Sequence, residues 1–507
     1  MKKKNNDIIR KIEKLYNKFS SWIPPKLYTF FLISCTLIFI AMFSFTLDND
    51  FWFLINTGKY ILNNGIPTIE PFTMHVGLEF VAQQWLTDII FFSIYDLFDI
   101  YGLFIFSILL LSIIAYLVYK LSKILSDNIK LSSFITIIFI ICFGLSFFRT
   151  RPQLFDTMFF LLEFILLELY IKTNNKKYLI GLPIVSLLMI NLHSSLWLIM
   201  FIFLLPYYAE KILFRKKIKY EIKPIIIATI LMFIAGLINP YGIKAITYLF
   251  NSFGINEINN FIAEMGPTNI KNGFLLFIYV GIVFYSYYYN KGNNKARYLF
   301  LMLGTLYLGL SHIKGMLYFL VSTIPALAYN FKNIFKEKGK QDSFYKGKVN
   351  NIIIIVTLIL YATIFGYNYF NTSIKTHMKP ALYEVGEYLL QNVSKDSKIY
   401  TNYNDGGYIE LLGYKCYIDP RAEVFLKANN KKEDIFIEYY YLNNRKIDYR
   451  DFLDKYNFDY LIVYSKEDLY YDLEYVDDYI VVFEQKINEY DYRIYKKAWW
   501  LFLFIYN

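Results

Sequence analysis

The chain of 507 residues is 56% hydrophobic and 19% charged, with a mean hydropathy of +0.33, whereas soluble domains run at roughly 45–50% apolar and about 25% charged. That balance excludes an ordinary cytosolic enzyme. Ile/Leu/Phe runs near the ~20 residues a membrane-spanning helix needs recur along most of the sequence, which reads as a polytopic membrane protein. The formal charge of +11 does not imply nucleic acid, because the Lys and Arg residues cluster in short loops between apolar runs, the pattern that orients membrane helices.

The lysine-rich segment 1–26 is expected to remain in the cytoplasm. No small-residue cleavage site follows it, so the run 27–47 reads as a retained first span rather than a signal peptide. Asp48 then stands at the outer surface and opens an external loop, 48–100, in which the apolar helix 84–98 lies along the interface with Asp88 and Asp96 aboard. Five basic loops (120–130, 172–177, 211–223, 291–297 and 332–348) all lie inside if eleven helices span. These fall near 27–47, 101–119, 130–148, 152–171, 178–192, 195–213, 223–239, 273–290, 297–312, 315–331 and 351–370. The transmembrane domain is thus 27–371. Within the span 152–171, Asp156 and Glu163 are seven residues apart and share a helix face, with Glu168 nearer the inside; intramembrane carboxylates are functional candidates.

Beyond 371 the composition turns charged and tyrosine-rich, which predicts a C-terminal extracytoplasmic domain, 372–507, of small α/β type. A helix is expected at 380–392 and strands at 398–403, 415–418, 460–464, 479–485 and 492–495. The tail 498–507, with Trp499 and Trp500, suits either the headgroup belt or packing on the domain. Cys35, Cys142 and Cys416 are too few and scattered for a disulfide framework or a thiolate metal site. Asn371-Thr372-Ser373 matches a glycosylation sequon, a triplet common by chance.

Polar residues collect on one side of this topology: Asp48, Asp50, Glu70, His75, Gln84, Arg149, Arg151, His193, Asn239, His312, Lys314 and His377 all fall on or near the outer face. Any one of them is explained by avoidance of hydrocarbon; the set is the signal. Asp48 and Asp50 follow the first span directly, and two carboxylates this close raise the proton affinity of at least one, a property that suits a general base. Taken alone, Asp-x-Asp is a weak pattern that also fits a solvated acidic turn. Arg149 and Arg151 put positive charge outside, against the orientation rule. Both phosphate pairing and snorkelling to headgroups account for that. Lys314 with His312 marks a second outer helix end, a further candidate phosphate contact. His193, after Asn191, suits either orientation of a substrate or helix capping. Asp419-Pro420-Arg421 follows a strand-like run, and reads as a ligand loop or as an internal ion pair.

The loop after the first span resembles the first external loop of the GT-C superfamily of membrane glycosyltransferases, in which a catalytic Asp follows the first span, a short helix comes next and a Gly begins the next turn. Asp50, with Ile61-Leu62-Asn63-Asn64 and Gly65, fits that placement better than Asp48. More narrowly, the chain resembles a family of bacterial multispanning proteins of that type. The resemblance rests on Asp48-x-Asp50-x-Trp52, Thr57-Gly58, Gly65-x-Pro67, Phe72-Thr73, Trp85-Leu86, Arg151-Pro152-Gln153, Asn191-x-His193, Asn239-Pro240-Tyr241-Gly242, Gly406-Gly407-Tyr408 and Asp419-x-Arg421-Ala422. Phe53, Glu70 and Gln84 depart from the pattern.

The resemblance implies a cell-membrane enzyme, with membrane lipids around it, that transfers a sugar from a polyprenyl-phosphate donor to an acceptor on the outer face. In that reading Asp50 is the base, Asp48 or Glu70 a helper or metal ligand, and Arg149, Arg151, His193, His312 and Lys314 substrate or phosphate contacts. Whether a divalent metal takes part stays open, since superfamily members differ. Two other classes remain: a lipid or polymer transporter using Glu163, and a non-catalytic scaffold whose outer domain binds a partner.

Overall fold

Apolar helices run from α1 (Pro25–Ser44) to α14 (Ile324–Glu337) in the computed structural model, which describes residues 25–44, 48–251, 254–290, 293–337 and 382–498. The basic N-terminus, the expected span 351–370, the sequon at Asn371, His377 and the aromatic tail from 499 lie outside the described residues. After α1 come α2 (Asp50–Asn64), α3 (Trp85–Ser126), α4 (Ile129–Phe147), α5 (Gln153–Thr173), α6 (Gly181–Leu192), α7 (Trp197–Leu213) and α8 (Lys223–Gly236). Two short helices, α9 (Lys244–Phe250) and α10 (Asn256–Phe261), precede α11 (Ile270–Tyr289), α12 (Ala296–Ser311), α13 (Gly315–Ser322) and α14.

Among the described residues, four helical stretches are long and apolar enough to cross a membrane: Trp85–Ser126, Ile129–Phe147, Ser194–Leu213 and Ile270–Tyr289, with shorter apolar helices at Lys223–Gly236 and Ala296–Ser311. The 21 residues of α5 reach the length, and it is Asp156, Glu163 and Glu168 that make it less apolar. Helices stand both where an interfacial helix 84–98 and where a span from 101 were expected, joined within α3 at Asp99. That residue has φ 56° and ψ −161°, and its carboxylate accepts from the Ile100 N–H at 2.8 Å, capping the second half. The expected span 315–331 is instead two helices. Pro325 has no N–H to donate and its ring crowds the preceding turn, so α13 ends at Ser322 and α14 begins anew at Ile324.

The C-terminal ends of α5 and α7 and the first turn of α12 meet at a buried ion network. Arg297 donates to Glu210 at 2.9 Å and to Glu168 at 3.1 Å, and the Tyr207 hydroxyl donates to Glu168 at 3.0 Å. Sequence reading put Arg297 where the basic loop 291–297 meets the span 297–312; the two carboxylates draw it into the packing.

The C-terminal segment folds as a small α/β unit. After α15 (Tyr383–Asn392), strands β1 (Lys398–Tyr400), β2 (Lys415–Cys416), β3 (Tyr460–Tyr464), β4 (Tyr479–Ile487) and β5 (Tyr490–Lys497) form one sheet of order β2-β1-β3-β5-β4. β1 runs parallel to β2 and β3, while β5 is antiparallel to β3 and β4. All five strands coincide with runs expected from the sequence. The helix α16 (Gly406–Leu411) sits against α2, with Tyr408 edge-on to Trp52 at 5.1 Å between ring centroids. A Cβ on Gly406 would lie 1.9 Å from the Ile418 carbonyl oxygen, so only glycine lets α16 approach β2's exit. Gly406→Ala is expected to cost about 1–3 kcal/mol through overpacking, read as a lower thermal midpoint; an unchanged midpoint would contradict this contact.

Candidate active site

The first turn of α2 begins just after Asp48. The Asp48 carbonyl accepts from the Phe51 N–H (3.0 Å), and its carboxylate accepts from the Asp50 N–H (3.3 Å). Phe51, Trp52 and Phe53 are buried, which fixes the rotation of the helix and leaves Asp50 half-buried with 30% of its side chain exposed. Arg151 reaches the same place from the turn between α4 and α5. There the Arg151 N–H donates to the Arg149 carbonyl (2.8 Å) and Pro152 starts the next helix.

The Arg151 guanidinium is the hub. Its Nη2 lies 2.7 Å from Asp48 Oδ1 and 2.9 Å from Asp50 Oδ2, and its Nη1 lies 3.0 Å from Glu264 Oε1. Glu264 in turn pairs with Lys314 Nζ at 3.0 Å. Lys314 is carried by the turn between α12 and α13, strapped to the Glu264 segment by three contacts. These are the Lys314 N–H to the Glu264 carbonyl (3.3 Å), the Ile313 N–H to the Gly266 carbonyl (3.0 Å) and His312 Nδ1 against the Met265 carbonyl (2.6 Å). His312 therefore positions Lys314's loop.

Burial pushes the Asp50 carboxyl up to about 7. Arg151 opposes that rise and the neighbouring Asp48 adds to it. Glu264 goes the other way: burial works against its charge, but Lys314 and Arg151 hold it down at about 2. Arg151 itself is held above its ordinary value by Asp50, Asp48 and Glu264, against the pull of burial. Two cations thus face three carboxylates, and burial raises the Asp50 carboxyl toward neutrality. A metal does not fit this set: Nη2 of Arg151 occupies the place between the Asp48 and Asp50 carboxylates, and among the described residues no group of three or more His, Cys, Asp or Glu is arranged to hold one.

Other expected site residues stand elsewhere. Glu70 is not a helper beside Asp50. It is buried against Arg421 at 2.8 Å and accepts from the backbone and hydroxyl of Thr73 (3.0 and 2.7 Å), because a fully buried carboxylate needs a charged partner and Arg421 supplies one. Arg421 also pairs with Asp419, so the Asp419-Pro420-Arg421 loop is an internal ion pair that also clasps the loop after α2. Arg149 turns back to the Phe148 carbonyl (2.9 Å) rather than into the Asp50 cluster. His75 meets the Tyr417 carbonyl at 2.8 Å. His193 joins a chain of its own, with Nδ1 at 2.5 Å from Asp156 and Nε2 at 2.5 Å from the Ser195 hydroxyl. Glu264 escaped sequence reading altogether. It lies in an aperiodic stretch, and its only signal there was an acidic charge with two unclaimed cations elsewhere.

No family model matches the sequence, and no curated protein matches it either. Among solved structures, the chain is similar to the oligosaccharyltransferase of Archaeoglobus fulgidus, which was determined tethered to an acceptor peptide containing the NVT sequon. The TM-score is 0.60 at 11% identity, over 87% of this chain and 69% of that one. The arabinofuranosyltransferase AftD from Mycobacteria aligns over 94% of this chain and 40% of its own, with a TM-score of 0.49 and 11% identity. Likeness at such identity is likeness of fold, and this chain shares the fold of that oligosaccharyltransferase.

Proposed function

We propose that the chain is a cell-membrane glycosyltransferase that moves a sugar from a polyprenyl-phosphate carrier to an acceptor hydroxyl. In this reading eleven helices span, the N-terminus is cytoplasmic, and the loop after α1 and the C-terminal domain face outward. The observation that supports it most is the meeting of Asp50, Arg151 and Lys314, from three separate parts of the chain, in one cluster.

Asp50 takes the proton of the acceptor hydroxyl, the hydroxyl oxygen attacks the anomeric carbon, and the bond from that carbon to the phosphate oxygen breaks. The phosphate leaves with the bonding pair. Proton uptake neutralises Asp50 and so releases one of the carboxylate claims on Arg151 as negative charge develops on the leaving group. Lys314, 32% exposed and held by Glu264, is free to turn toward that phosphate, and the Nε of Arg151 is buried without a partner.

The test uses purified protein in lipid nanodiscs with a panel of polyprenyl-phosphate sugars, reading sugar transfer and donor hydrolysis. A scaffold gives neither. A transporter moves labelled lipid whether or not Asp50 is intact and stops with Glu163→Gln, the variant aimed at the one α5 carboxylate whose two oxygens are both buried and unpartnered.

Because the general base must be ionised, the rate is expected to rise with pH through about 7. Asp48→Asn removes a negative neighbour and leaves Arg151 more closely committed to Asp50, and both changes lower the proton affinity of Asp50. The acid limb of kcat/KM is expected to move to lower pH; a limb that stays or moves up would show that Asp50 is not the titrating base.

A further inference from the structure

Beyond the Asp50 cluster, the same face of α2 carries Phe53 and Thr57, three and seven residues on, into a recess closed by the 83–88 turn and the Arg421 loop. Phe53, Thr57, Gln83, Asp88, Arg421 and Glu423 line it, and its free space is about 230 Å³ counting the open mouth. Much of that space is open mouth, and the recess has room for about one water-sized group.

Four polar atoms of these walls are buried without a hydrogen-bond partner: Thr57 Oγ1, Gln83 Oε1, Asp88 Oδ1 and Arg421 Nη1. Their residues are at most 7% exposed. Each such atom left unsatisfied costs roughly 1–3 kcal/mol, so four around one recess indicate a missing polar occupant. The walls are rigid. A Cβ on Gly58 would lie 2.1 Å from the Asp88 carbonyl oxygen, so α2 is pressed against the start of α3, and the Gln83 carbonyl accepts from the Ser194 N–H at 2.8 Å. The Gln83 amide is itself aimed by its bond to Glu423 (3.0 Å).

We propose that this recess is a hydroxyl-recognition subsite that seats one hydroxyl of a sugar-like acceptor beside Asp50. The inference rests on the glycosyltransferase reading and names the acceptor class for it. An anion is disfavoured, because the guanidinium of Arg421 is already claimed by Asp419 and Glu70 and the Glu423 carboxyl lines the recess. A cation is disfavoured by that guanidinium in the wall. Burial pushes the Asp88 carboxyl well above the usual range, which favours its neutral form, able to donate as well as accept. Arg421 and Thr57 also donate, and Gln83 Oε1 accepts. A hydroxyl, which donates and accepts at once, matches this set.

The probes are myo-inositol and the methyl glycosides of common hexoses and pentoses, tested by saturation-transfer NMR against the full chain in nanodiscs. At least one is expected to give a signal that falls fivefold or more in Thr57→Val and in Gln83→Leu, returns in Thr57→Ser, and persists in Asp50→Asn. Signal from none of the probes, as a recess holding water alone would give, overturns the subsite, and so do equal signals in wild type and Thr57→Val. Wild-type protein that gives the signal but transfers no sugar from any donor counts against the proposed reaction while upholding the subsite.

Discussion

Asp50→Asn is expected to lower sugar transfer by roughly 10²–10⁴-fold, the range a positioned general base contributes, with the donor still bound. The substitution keeps the shape of the side chain and removes its ability to accept a full proton. It also leaves Arg151 with Asp48 and Glu264, so the cluster holds together. Lys314→Met is expected to differ in kind: the base remains, loss of a cation beside the leaving phosphate lowers kcat, and because Lys314 also holds the Asp50 carboxyl down, the acid limb moves to higher pH without being lost. Initial rates for both variants, across the pH range around 7, separate proton transfer from leaving-group stabilisation. Wild-type transfer by Asp50→Asn would end the claim that this carboxylate acts as base.

Arg297→Met carries the largest expected effect on stability. Arg297, Glu168 and Glu210 are all nearly inaccessible, and removing the arginine side chain strands two buried carboxylates without a cation, with the Tyr207 and Tyr220 hydroxyls and the backbone N–H of position 297 still donating to them. Breaking a buried ion pair from one side costs about 3–5 kcal/mol, so a markedly lower midpoint of thermal unfolding is expected. Replacing all three residues with Met removes the stranded charges and is expected to restore most of the loss. An unaltered midpoint in Arg297→Met would mean that the network does not join α5, α7 and α12.

Local patterns carried much of the fold. The strands of the C-terminal sheet were legible because β-branched and aromatic runs alternate between turn residues, and Pro325 within an expected helix was itself a break signal. In the site, Asp50, Arg151 and Lys314 were legible because each is a charge at the end of an apolar run, where the membrane makes charge conspicuous. What sequence could not supply was pairing. Glu264 meets Arg151 across 113 positions and Glu70 meets Arg421 across 351, and nothing in either neighbourhood distinguishes a clasping carboxylate from a solvated one. For the same reason Arg149 and Arg151, two residues apart and alike in the sequence, could not be told apart. Their carbonyl-bonded turn sends one guanidinium to the carboxylates and the other to the Phe148 carbonyl. The recess at Thr57 was invisible for a further reason: it is defined by bonds that its atoms do not make.

The most direct measurement is a cryo-EM map of the protein in nanodiscs saturated with a polyprenyl monophosphate. The phosphate is expected within hydrogen-bonding distance of Lys314 and Arg151, with Asp50 open to the space beside it. A phosphate bound elsewhere, for example against Arg149 alone or at the Arg297 end of the helices, would contradict the proposed chemistry.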